Sequence, residues 1–184
     1  MAHIGGFVGG VLLAFVLRAQ RAATVEADRS RLRHRADRSP AAALDAADEF
    51  LRKHPDDVEA LWCKAAALHK MGERDEEAKV LVQLVRKDPD PAHAIDCLVI
   101  IEKLRLIPAA ERMRLSPSLD GPLRRDVLMN VANEPESEPE RPYALLALAE
   151  MSEGEERQSL VRELVERYPM HAATEIARTK GLLA

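Results

Sequence analysis

Val58–Pro91 reads VEALWCKAAALHKMGERDEEAKVLVQLVRKDPDP, and its punctuation decides the fold class. Leu61, Ala65 and Leu68 recur at helical spacing until Gly72 ends the run. Ala78, Leu81, Leu84 and Val85 then form a second apolar stripe, closed by Asp88-Pro89. Two helices joined by a tight turn are expected, from about Asp57 to Met71 and from Glu73 to Lys87.

The same reading extends in both directions. Ser39-Pro40 is an N-cap followed by proline at the first helical position, and Ala43, Ala47 and Phe50 carry that helix to His54-Pro55. Pro91 opens a fourth helix with Ile95, Leu98, Val99 and Ile101, continuing to Leu106. Shorter helices are expected from Pro108 and Pro122. Residues 133–142, NEPESEPERP, hold three prolines and read as a solvated linker. Beyond it helices are expected over Tyr143–Glu153 and Glu155–Tyr168, with a last one from Pro169 to about Lys180. No segment alternates convincingly as a strand would, so the chain reads as all-α.

Composition agrees with that reading. Of 184 residues 29 are Ala and 24 Leu, which favours packed helices. A hydrophobic share of 47% beside 32% charged residues excludes wholesale disorder. Aromatics at 3% argue against an all-β sandwich and against a base-stacking nucleic-acid surface. Cys63 and Cys97 are too few for a disulfide framework or a cysteine-built zinc site.

Helix pairs punctuated by Gly and Pro suggest an internal period. Val58–Pro91 is 34 residues long and resembles a tetratricopeptide (TPR) repeat, with Leu61, Ala65, Leu68, Gly72, Leu81, Leu84 and Pro89 on the signature positions. Glu77 departs from it, standing where that family prefers a small residue. One period earlier, Ala43, Ala47, Phe50 and Pro55 match a second helix, whose first helix would fall in an Arg-rich stretch that matches poorly. Forward, Ser116-Pro117 interrupts the next unit, and 142–169 resembles a divergent one.

The resemblance implies a short TPR-like helical-hairpin solenoid with a concave peptide groove. In that register the groove is lined by Glu59, Trp62, Cys63, Ala66, His69 and Lys70, then by Asp96, Ile100 and Lys103. Trp62 and Ala66 occupy the places of the Lys and Asn with which chaperone-binding members clamp a carboxylate, so an apolar or mixed peptide fits better. Trp62 has two readings, as an interface anchor or as a residue packed against the preceding helix.

The N-terminus differs in character. Met1–Leu17 is apolar apart from His3 and contains Gly5, Gly6, Gly9 and Gly10. A 17-residue helix spans about 25 Å, a little short of the ~30 Å hydrocarbon core. A signal peptide, a buried helix and a single transmembrane anchor all compete for it. The absence of basic residues before the run, and the arginines after it, favour the anchor. Gly5/Gly9 and Gly6/Gly10 then form small-xxx-small pairs suited to a helix–helix membrane contact, although glycine is also common in such helices. Residues 18–38 carry seven Arg against three acidic residues, or +4, whereas 39–184 carry −8. Arg18, Arg21, Arg31, Arg35 and Arg38 are expected to meet anionic lipid headgroups. The positive-inside bias places the N-terminus outside and the repeats on the cytoplasmic side, and the membrane is expected to be a bacterial inner membrane.

The expected domains are a 1–17 anchor, an 18–38 juxtamembrane helix, 39–132 repeats, the 133–142 linker and a 143–184 divergent unit with a capping helix. This architecture is similar to that of the N-anchored cytoplasmic repeat proteins of lipopolysaccharide assembly, without their rubredoxin-like cysteine pairs.

Motifs for chemistry are missing. The six histidines show no metal-ligand spacing, and the Asp88, Asp90, His93 turn reads as capping rather than a cation site. There is no P-loop, no G-x-G-x-x-G and no G-x-S-x-G. Neither an enzyme, a cofactor nor a nucleic-acid partner is expected. The functional expectation is a membrane-tethered, TPR-type scaffold or adaptor that binds membrane-associated protein partners. The alternative is an accessory assembly subunit of a larger membrane complex, with an enzyme as a remote third reading.

Overall fold

The computed structural model describes residues 24–34 and 39–183. The chain is all-α, with no strand among the described residues. Helix α1 is described over 24–34. It is followed by α2 (Pro40–Leu51), α3 (Val58–Met71), α4 (Arg74–Lys87), α5 (Ala92–Ile100), α6 (Ala109–Leu115), α7 (Gly121–Ala132), α8 (Arg141–Met151), α9 (Gly154–Arg167) and α10 (Ala172–Thr179). Two 3-10 turns, Leu104–Leu106 and Ser116–Ser118, flank α6. The chain divides into two compact units after Lys87.

In the first unit local capping sets the helix ends. Ser39 Oγ accepts from the Ala42 amide at 3.2 Å with Pro40 beside it, and Asp57 Oδ1 accepts from the Ala60 amide at 2.9 Å. α2 buries Ala43, Ala46, Ala47 and Phe50, and α3 buries Ala60, Leu61, Ala65, Ala67 and Leu68. Small alanines on both faces let the backbones approach. α4 returns against α3 with Leu81 and Leu84 fully buried, each contributing about 2 kcal/mol relative to an exposed leucine. Leu32 of α1 joins Ala46, Ala47, Phe50 and Ala60 in one cluster.

The α3–α4 turn follows from Gly72 at φ +79°. The Gly72 amide donates to His69 O and the Glu73 amide to Leu68 O, the paired bonds of a Schellman motif. Glu77, which interrupts the repeat pattern, is buried at the start of α4. It accepts from Arg74 Nη1 at 2.9 Å, and His69 Nδ1 lies 2.8 Å from its other oxygen. A small residue there would leave this end of the hairpin without its polar clasp.

The second unit centres on α8. Leu128 and Val131 of α7, Leu145 and Leu148 of α8, Leu164 of α9 and Ala173 and Ala177 of α10 form its core. Residues 133–140 connect α7 to α8 in turns held by Arg141, whose Nε donates to Ala132 O at 2.7 Å. Its Nη1 donates to the Tyr168 hydroxyl and its Nη2 to Glu163, while that hydroxyl donates to Glu136 O. Arg112, only 3% exposed, donates to Asn130 Oδ1 and to Glu134 on the α7 side of the same connection.

Two expectations are corrected here. The repeat solenoid does not form, because the unit after α4 departs from the helix-turn-helix period. α5 stops at Ile100 rather than Leu106, and α6 has only seven residues. α5 buries Ala94, Ile95 and Leu98, so a longer helix would turn Glu102 and Arg105 toward that core. Ending it brings Leu104 and Ile107 inside instead, at 3% and 1% exposure. The fold is an all-α helical bundle.

The transmembrane helix is the second correction. No helix among the described residues is long and apolar enough to cross a membrane. The longest described helices have 14 residues, about 21 Å, against the ~20 residues a span requires. The expected anchor at 1–17, with Gly5, Gly6, Gly9 and Gly10, lies outside the described residues. The single-pass topology and inner-membrane location, which rested on that anchor, are not retained.

α5 ends with the same Schellman bonds as α3, but Glu102 occupies the left-handed position at φ +57°. Glu102→Gly should therefore stabilise the chain by about 1 kcal/mol, and Gly72→Ala should destabilise it by about as much. Urea unfolding followed by circular dichroism measures both, and equal effects of the same sign would contradict the backbone argument.

Candidate functional site

The groove residues expected from sequence fall in two places. Glu59, Trp62, Ala66, His69 and Lys70 lie on α3 in the first unit, at spacings that align them along one side. Asp96, Ile100 and Lys103 lie on or just after α5 in the second unit. Ile100 is 69% exposed, and Asp96 lines an open cavity of about 320 Å3 with His93, Asp120 and Asp126. Lys103 is half-buried, its amide donating to Leu98 O in the α5 cap.

The α3 side is graded from acidic to basic. At its start Asp57 Oδ2 accepts from Arg29 Nη2 at 2.6 Å. Glu59 accepts from Arg33 Nε at 2.8 Å and also pairs with Arg29 at 3.1 Å. The bond to Asp57 and the charge of that carboxylate raise the Arg29 pKa, and Glu59 does the same for Arg33. Glu59 is therefore engaged by α1 and is not an open groove residue. Trp62, one turn on, is half-buried, whereas Ala66, His69 and Lys70 are exposed. His69 Nδ1 has an acceptor in Glu77 and a donor in Arg74 within reach, so the imidazole tautomer selects between them.

Sequence reasoning missed the two arginines that matter here. It placed Arg31, Arg35 and Arg38 on one lipid-facing side, but Arg29 and Arg33, also four apart, are the pair that meets α3. Arg31 is exposed and bonds Asp28 at 3.3 Å, and Asp28 also takes Lys53 at 3.2 Å. Arg18, Arg21, Arg35 and Arg38 lie outside the described residues. The available signal was complementary charge: Asp57 and Glu59 at a helix start, and Arg29 and Arg33 on one helical side.

Cys63 packs against the Leu32–Phe50 cluster from the neighbouring side of α3. Burial pushes its thiol pKa up, and the Glu59 charge adds to that while Lys70 opposes it. The Asp88–His93 turn caps itself, with Asp88 accepting from the Asp90 amide at 3.0 Å and Asp90 from the Ala92 amide at 3.4 Å. Among the described residues no group of three or more His, Cys, Asp or Glu is arranged to hold a metal ion.

No family model, curated protein or solved structure matches the chain. The TPR resemblance is corrected by that result together with the broken period after α4. The likeness to lipopolysaccharide-assembly repeat proteins falls with it. The membrane-tethered adaptor and the membrane-complex subunit are likewise corrected, since no described helix can span a bilayer. The lipid-headgroup and membrane-associated partners, and the transmembrane helix–helix association, rested on the same span and basic stalk. The described Arg29 and Arg33 are instead committed to Asp57 and Glu59.

A raised thiol pKa means less thiolate at any given pH and a slower thiol. Alkylation of Cys63 by iodoacetamide at pH 8, read by peptide mass spectrometry to separate it from Cys97, should run at least about tenfold below that of an unfolded control. A rate equal to the control would contradict the buried thiol.

Proposed function

We propose that this all-α chain is a non-catalytic domain that acts by contact, with the uncovered part of α3 as its working surface. The observation that carries this reading is the division of α3 along its length. Asp57 and Glu59 are taken by Arg29 and Arg33, and the Ala/Leu side is buried. Outside these lie the half-buried Trp62 and the exposed Ala66, His69, Lys70 and Met71.

The groups that could supply chemistry nearby are engaged in holding helices. Glu77 clasps the α3–α4 turn, and burial raises the Cys63 thiol pKa. The surface itself combines an aromatic flank, a floor without a bulky side chain and a basic end. Such a surface suits a short peptide segment with an apolar side chain followed by an acidic one, because an aromatic edge excludes water from the contact while a cation sets direction.

Trp62 is the chain's single tryptophan, so its fluorescence reports on this surface directly. The full chain, titrated with synthetic peptides of apolar–acidic pattern, should show a saturable emission change. Trp62→Ala, followed by calorimetry, and Lys70→Glu should each weaken binding about tenfold. Binding indifferent to both changes would contradict the proposal. So would multiple-turnover hydrolysis of ester, phosphoester or peptide substrates that His69→Ala abolishes.

A further inference from the structure

The second unit carries an open apolar groove of about 450 Å3, formed by Val161 and Val165 of α9 with Leu182 and Leu183 beyond α10. Arg162 and Glu166 stand along the same groove, one helical turn apart and both exposed. Their neighbours on the adjacent side of α9 are already satisfied: Glu163 takes Arg141 at 2.6 Å and lies 3.7 Å from Arg167. Among the described residues Arg162 and Glu166 take part in no ion pair, although their i, i+4 spacing would permit one.

That pattern is its own complement. A two-fold axis crossing α9 at the level of Leu164 sets a second α9 antiparallel to the first. Arg162 of each copy then faces Glu166 of the other. The same rotation brings the half-buried Val165 of the two helices together above the buried Val161, and the half-buried Leu182 and Leu183 close the sides. A two-fold interface uses one patch twice, so each favourable contact occurs in duplicate. We propose that the groove on α9 is a homodimer interface, occupied by α9 of a second copy of this chain and set in register by reciprocal Arg162–Glu166 pairs.

Because the pairs are reciprocal, charge reversal gives an unusual signature. In Arg162→Glu every cross-axis contact sets acid against acid, and in Glu166→Arg base against base. Neither variant should associate with itself. Mixed together they should associate, since each contact then joins opposite charges. Both substitutions are at exposed positions, and circular dichroism verifies that the helices are retained.

Sedimentation velocity on the full chain, with native mass spectrometry of an isotope-labelled mixture, reads the result. The wild type is expected at twice the 20.4 kDa chain mass, with each single variant at least about tenfold weaker in self-association and the equimolar mixture restored as a heterodimer. A wild type monomeric throughout the micromolar range would overturn the proposal, and leave the groove to another occupant. Single variants that associate as the wild type does, or a mixture that stays monomeric, would overturn it equally, placing any association elsewhere. Within the full chain, Val165→Glu should abolish association in every background.

Discussion

The first turn of α3 orders the unit around it. A helix start leaves amide hydrogens without intrahelical partners and a partial positive charge, and Asp57 answers both with one oxygen on the Ala60 amide. Its other oxygen is free to take Arg29, and Glu59, two residues further in, takes Arg33. The cap is thereby also the dock for α1. Once α1 is placed, Leu32 can reach Ala46, Ala47, Phe50 and Ala60, so a polar contact at the rim positions an apolar one beneath it. Exposed ion pairs contribute little alone, about 0–1 kcal/mol, and the buried leucine supplies the larger part of the stabilisation.

Arginine takes a comparable role in the second unit by another route. Arg141 holds the end of α7, the Tyr168 hydroxyl and Glu163 of α9 at once, and this planar five-donor group can reach several acceptors that lysine could not. The proline- and glutamate-rich segment before it is thus held as a set of turns between packed helices. Arg29 and Arg33 in the first unit, and Arg112 and Arg141 in the second, thus serve the fold.

The hairpin over 58–87 was legible because it is local. Leu61, Ala65 and Leu68 repeat at helical spacing, Gly72 supplies the left-handed turn, and the cap at Asp57 sits where its chemistry places it. The early end of α5 was not, since it turns on whether Glu102 and Arg105 would meet a core that local pattern cannot see. The α3 side is readable from spacing alone, which put Trp62, Ala66, His69 and Lys70 together. Spacing could not show that Glu59 is ion-paired, because Arg29 and Arg33 lie about 26–30 residues away in the chain. The repeat pattern misled for a related reason: apolar and glycine positions describe one hairpin well without requiring that the next be built alike.

The first unit depends most on α1 being docked by the α3 cap, with Arg29 and Arg33 paired to Asp57 and Glu59. Hydrogen exchange of the backbone amides in 24–34, measured on the full chain and on an Asp57→Asn/Glu59→Gln variant, tests this directly. The wild-type helix should be protected, and the variant should lose that protection by about tenfold or more while the α4 amides keep theirs. Amides in 24–34 that exchange freely in the wild type, or equally slowly in both proteins, would contradict it.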